Sequence, residues 1–178
     1  LRNKRRSTPA LELNTIKKHH NYQFSLMLQD HITVQNRHKD FIKKISETET
    51  VYALKGEKGY ATSYSSEIEY EDGEPVQIIC FWSDAARAKS CIENEWNQYE
   101  VSSVPLNEFI ENWCLGMNKD GLIVGTDFDS NLFGYEAEPL ELILDIVEEF
   151  SEKGKSLELR KFESLEELGI QIREVLKD

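Results

Sequence analysis

Six residues, Val76-Gln77-Ile78-Ile79-Cys80-Phe81, constrain this chain more than any other stretch. They are β-branched or apolar almost without interruption, as in a strand buried on both faces. A strand of that kind needs neighbours on both edges and layers above and below it. The sequence that follows supplies them. Ser83 or Asp84 can cap a helix that carries Ala85, Ala88, Ile92 and Trp96 on one side. Tyr99–Val104 reads as a short strand ending at Pro105. Leu106, Phe109, Ile110, Trp113, Cys114 and Met117 then recur at offsets 0, 3, 4, 7, 8 and 11, the stripe of an amphipathic helix. Asp120-Gly121 ends that helix, and Leu122-Ile123-Val124-Gly125 is a second buried-type strand.

The order strand, helix, strand, helix, strand from Val76 to Gly125 predicts two crossovers with neighbouring strands parallel. Upstream, Thr33 is the expected cap of a helix bearing Val34, His38, Phe41, Ile42 and Ile45. Val51–Leu54 and Tyr60–Tyr64 read as a hairpin turning through Gly56–Gly59. Glu67–Pro75 reads as an acidic loop. Downstream, Pro139 opens a helix with Leu140, Ile143, Leu144, Val147 and Phe150 inward. Ser164-Leu165-Glu166-Glu167 is a capping box before a last helix. The expected fold class is α/β (α+β): a mixed sheet of about five strands, made of an N-terminal hairpin and a β-α-β-α-β unit, with helices packed on it. Three regions follow: a basic extension 1–31, a core domain 32–154, and a C-terminal strand and helix appendage 155–178.

Charge divides along the same lines. The chain's net charge is −12, while residues 1–31 carry six Lys/Arg against two acids, so the remainder holds −16. A body this acidic repels phosphate backbones, which argues against nucleic-acid binding and for a basic protein partner. Residues 1–31 lack sustained periodicity, and the sequence begins at Leu1. Both predict an extension poorly coupled to the domain, disordered or outside the native chain. Glu12 interrupts any secretory apolar run, and no stretch is long enough to cross a bilayer. Cys80, Cys91 and Cys114 are odd in number and lie within apolar patterns, the usage of reduced cytoplasmic thiols.

The run Phe81-Trp82-Ser83-Asp84 is followed by Ala85–Cys91, Glu95-Trp96 and Tyr99. Pro105–Phe109, Trp113, Asp120-Gly121 and the Gly134–Glu138 turn come next in order. Together with Val51–Leu54 and Gly59-Tyr60-Ala61, these residues resemble the bacterial family catalogued as domain of unknown function 2750, over residues about 33–150. The resemblance implies a small cytoplasmic protein. It brings no activity, cofactor or catalytic residue to carry over.

Candidate chemistry is sparse. Asp127, Asp129, Asn131 and Glu138 have part of a calcium-loop spacing, but Leu132 stands where such a loop needs Gly, so they are weak metal candidates. His38 is the body's one histidine available to activate Cys91 or Cys114. Lys153, Lys155, Arg160 and Lys161 form a basic cluster that reads as charge complement at a helix end. Trp82 follows a buried strand where a βα loop often lines a crevice, so Trp82, Asp84, Glu95 and Trp96 are the candidate partner-binding residues. No cofactor is implied. The expectation is a non-catalytic protein-binding module, immunity- or inhibitor-like in one concrete form. The alternative is a small-molecule- or metal-dependent enzyme with its site near Trp82 and Asp127.

Overall fold

In the computed structural model, residues 30–177 are described. The chain divides into two units, Leu1–Asn36 and Arg37–Asp178. Of the first, residues 30–36 are helical, so Thr33 lies inside a helix rather than capping one. The basic residues of the extension, Arg2 to Lys18, lie outside the described residues.

The second unit is an α+β fold on a seven-stranded mixed sheet. Its strands are β1 (Thr50–Gly56), β2 (Gly59–Tyr60), β3 (Thr62–Glu69), β4 (Pro75–Trp82), β5 (Glu100–Pro105), β6 (Ile123–Thr126) and β7 (Tyr135–Ala137). Its helices are α1 (residues 37–48), α2 (Ala85–Ser90), α3, α4 (Pro139–Glu152) and α5 (Leu165–Val175). Helix α3 runs from Leu106–Glu108 through a π-helical stretch, Phe109–Cys114, into Leu115–Asp120.

The strand Val76–Phe81 is central, as its apolar run requires. β4 pairs in parallel with β6, matching Ile78 to Ile123 and Phe81 to Thr126. Its other edge is shared by β1 at Phe81 and Trp82 and by β3 at Gln77–Ile79. The second expected parallel neighbour is displaced. β5 pairs antiparallel with β1 along its whole length, from Thr50↔Pro105 to Lys55↔Glu100. β1 is itself antiparallel to β4, so β5 does run in the β4 direction, but with β1 interposed. The crossover through α2 therefore skips one strand.

The expected hairpin is also split. Gly56 and Gly59 face each other across the turn, and Gly59 takes φ +121°, which glycine adopts without strain. Past Tyr60 the chain leaves β1. The Ala61 N–H still donates to Leu54 O, whereas the Ala61 carbonyl accepts from the Cys80 N–H. Ala61 hands the chain from one strand to the next, and β3 becomes the partner of β4. The expected acidic loop is thereby shortened, because Glu67 and Glu69 extend β3.

Two cores result. On one face Phe41, Ile45, Phe81, Phe109, Val124, Ile143 and Phe150 are buried under α1, α3, α4 and α5. On the other, Leu54, Ile78, Cys80, Trp82, Trp96 and Phe128 pack under the short α2 and its following turn. Capping follows the sequence: Ser164 Oγ accepts from the Glu167 N–H, and Gly121 takes φ 68° at the end of α3. A strand was expected between α4 and α5. The segment instead has no strand partner: residues 160–163 bend, and a side-chain carboxylate, that of Glu111, takes the N–H groups of Arg160 and Lys161.

Candidate functional site

In an open α/β sheet, ligands gather beyond the carboxyl ends of parallel strands. Here that place is the end of β4 and β6, where Trp82-Ser83-Asp84 lies beside Asp127-Phe128-Asp129. The Asp127 N–H donates to Phe81 O at 2.9 Å, which carries the ladder one residue past β6. Asp127 takes φ 47°, a left-handed conformation that Asp tolerates better than most residues. Its carboxylate is buried and accepts twice from Ser83: from the backbone N–H at 2.8 Å and from the hydroxyl at 2.8 Å. The Arg87 Nε stands 3.9 Å away. Burial raises the carboxyl's pKa, and the Ser83 hydrogen bonds and Arg87 act against that rise.

Trp82 is wholly buried. Its indole N–H donates to Phe128 O at 2.8 Å, and its ring meets Trp96 edge-on at 6.0 Å. Cys91 donates its S–H to the same carbonyl. Of the residues expected to meet a partner, Trp82 and Trp96 have their rings inside the second core, and no face of Trp82 reaches solvent. Asp84 caps α2 through the N–H groups of Ala86 and Arg87, and the Arg87 N–H leads in holding its pKa below the usual value. The side chain of Glu95 lies outside the described ones.

The four weak metal candidates do not converge. Asp129 accepts from the N–H groups of Asn131 and Phe133, and Glu138 precedes α4 without a side-chain bond. Among the described residues, no group of three or more His, Cys, Asp or Glu is placed to hold a metal ion. Arg37 closes the loop from outside, donating to Phe133 O at 2.9 Å and standing 3.5 Å from Asp129.

His38 is engaged elsewhere than with a thiol. Its Nε2 lies 3.0 Å from Asp145 Oδ2 and its Nδ1 3.0 Å from Thr126 Oγ1. Its ring stacks on Tyr135 at 4.1 Å. In the neutral ring, Nε2–H donates to the carboxylate and Nδ1 accepts from the Thr126 hydroxyl. The order hydroxyl, imidazole, carboxylate is that of a nucleophilic triad, but Thr126 is completely buried, so the group ties α1 to β6 and α4. The three cysteines are free and buried, and burial raises their pKa values.

The basic cluster is consumed internally. Lys153 pairs with Glu149 and Glu47, and Lys155 reaches Ser46 O and Glu49. Arg160 and Lys161 bear on Glu108, Glu111 and Asn112 of α3. Glu111 is the site residue that sequence reasoning missed. Buried within the π-helical stretch, it has no local signal, because its partners come from about fifty positions downstream.

A family model described as "Protein of unknown function (DUF2750)" matches residues 38–146, more than half of the 178. The chain belongs to the DUF2750 family. The match takes in α1 to most of α4, and with them the second core and most of the first, while Phe150 of the first core, the segment after α4 and α5 lie beyond it. Searches of the curated proteins and of the solved structures gave no match to the chain. Among the described residues, no helix is long and apolar enough to cross a membrane.

Proposed function

We propose that this DUF2750 protein is a non-catalytic, cytoplasmic protein-binding module whose acidic exterior meets a basic partner, as an immunity or inhibitor protein does. The observation that carries this reading is the arm formed by β3, its turn and the start of β4. Glu67, Glu69, Glu71, Asp72 and Glu74 are all exposed there, and none forms an ion pair among the described residues. Tyr64 is 63% exposed and Tyr70 38%, so two aromatic faces stand among five uncompensated carboxylates. Unpaired surface charge steers encounter, and exposed tyrosines supply contact area at low entropic cost.

The test is affinity purification from the source cell with two baits, the wild type and the triple variant Glu67→Lys, Glu69→Lys, Glu71→Lys. A basic protein retained by the first and lost by the second supports the reading. The same set of proteins on both baits removes it.

The enzyme reading has one observation in its favour: the raised pKa of buried Asp127, a property of general acids. Against it, both carboxylate oxygens are committed to Ser83, and Trp82 presents no open surface.

A further inference from the structure

An unpaired strand edge is a row of N–H and C=O groups on which another strand can form, and folded chains blunt such edges with brevity, charge or bulges. Most edges of this sheet are blunted in those ways. β2 has two residues and β7 three. β3 carries Glu67 and Glu69, and its register with β4 shifts between Tyr64 and Glu69. β5 is the exception. It pairs with β1 over six residues in unbroken register, and among the described residues no strand pairs with its other side. From Val101 to Pro105 it bears no charge, in a chain whose net charge is −12.

The ladder fixes where its free groups point. The Leu106 N–H donates to Glu49 O at 2.9 Å, which continues the register Thr50↔Pro105 by one residue. Neighbouring residues of a strand send their N–H and C=O to opposite edges. Val104, Ser102 and Glu100 therefore face β1 as Leu106 does, while Val101, Ser103 and Pro105 face outward. Pro105 agrees with this, because its missing N–H is an outward one and costs the β1 ladder nothing. Ser103 and Pro105 are exposed, and Val101 is half-buried.

We propose that the outer edge of β5 is the interface of a homodimer, in which two copies pair β5 antiparallel across a two-fold axis at Ser103 and join their sheets. Residues directly opposite in an antiparallel pair both point toward each other or both point away. Ser103 opposite Ser103 meets that condition, with Val101 opposite Pro105 on either side of it. The Val101 and Ser103 N–H groups of both copies then all find carbonyls, and Pro105, which has no N–H to give, only accepts. Glu100 falls outside the paired stretch in both copies. A two-fold contact needs a patch complementary to itself, and this one is. Charge selects a second copy over a basic strand. Two acidic chains repel wherever their carboxylates meet, and the stretch Val101–Pro105 brings none together. A basic strand gains no attraction there and gains it at β3 instead. The inference is independent of the acidic arm and of the partner proposed for it.

The test is sedimentation velocity on the full chain from about 1 to about 500 μM, with amide exchange followed at both extremes. The expected result is a monomer–dimer equilibrium. In the dimer the Val101 and Ser103 amides exchange at least about tenfold more slowly than in the monomer, while those of Ser102 and Val104, already bonded to β1, change less. Ser103→Pro removes an outward N–H and no bond to β1, and Ser103→Glu sets two like charges face to face on the axis. Both variants are expected to stay monomeric at every concentration. If Ser103→Pro does not fold, Ser103→Glu decides alone. A wild type that remains monomeric over the whole range overturns the proposal. So does a dimer whose Val101 and Ser103 amides exchange freely, or one that survives both substitutions, because it forms through another surface. Protection of the two amides by a different protein, with the chain itself monomeric, also overturns it and assigns the edge to that partner.

Discussion

The two faces of the sheet are closed by different means. The helical face buries Phe41, Phe109, Ile143 and Phe150 under four helices, and apolar area does the work. The opposite face has the short α2, six residues long, over a smaller apolar core around Trp82, and adds directed polar contacts to it: Asp127 with Ser83, the Trp82 indole with Phe128 O, and Ser65 with Glu136. Non-directional burial tolerates small displacements, whereas a buried hydrogen bond is lost outright when its partner moves. The helical face therefore sets most of the stability, and the second face sets the geometry of the loops at the end of β4 and β6.

The largest test of that contrast is Phe109→Ala. The ring is wholly buried and meets Phe81 edge-on at 4.8 Å. Its loss is expected to cost about 3–5 kcal/mol in urea unfolding. Trp82→Phe on the other face keeps most of the buried ring but orphans part of the demand at Phe128 O, at an expected cost of about 1–3 kcal/mol. A larger loss at Trp82 than at Phe109 would reverse the ranking of the faces.

How much of this was legible follows from how local each signal is. The strand Val76–Phe81, the stripe of α3 and the cap at Ser164 all depend on neighbours a few residues away, and the structure has them. The split of Tyr60–Tyr64 at Ala61 was not legible, because it depends on the Cys80 N–H nineteen positions on, with which Ala61 shares no pattern. Asp127 drew attention as a metal candidate since its spacing to Asp129 and Asn131 is local. Its real partner, Ser83, is 44 positions upstream. Trp82 looked like a surface anchor because the end of a strand is usually open. Phe128 O and Trp96 fill that opening here.

Ser65→Ala probes the clasp between β3 and β7. Ser65 Oγ donates to Glu136 and accepts the N–H groups of Glu67 and Ile68. Its removal is expected to cost about 1–2 kcal/mol. Amide exchange should rise at Glu67 and Ile68 while Phe41 and Ile143 keep their protection, because these contacts hold only the far end of the second face. A uniform rise across both cores would mean that the clasp stabilises the whole sheet.

The smallest effect is the most specific. Asp127→Asn preserves size and tolerates the left-handed backbone, but it removes the one carboxyl on the second face whose pKa burial raises. A carboxyl with a folded pKa above its unfolded value binds more protons in the native state between the two. Its contribution to stability is therefore complete below the unfolded value and is lost as pH rises through the folded one. The stability of the wild type relative to Asp127→Asn should accordingly climb as pH falls from 7 towards 4, read as the separation of their urea midpoints at each pH. Other titrating groups are common to both chains and cancel in that separation. If the wild type instead loses ground on acidification, the Ser83 donors and Arg87 outweigh burial, and Asp127 is held as an anion. The second face would then be organised around a fixed negative charge, buried and therefore little screened by salt.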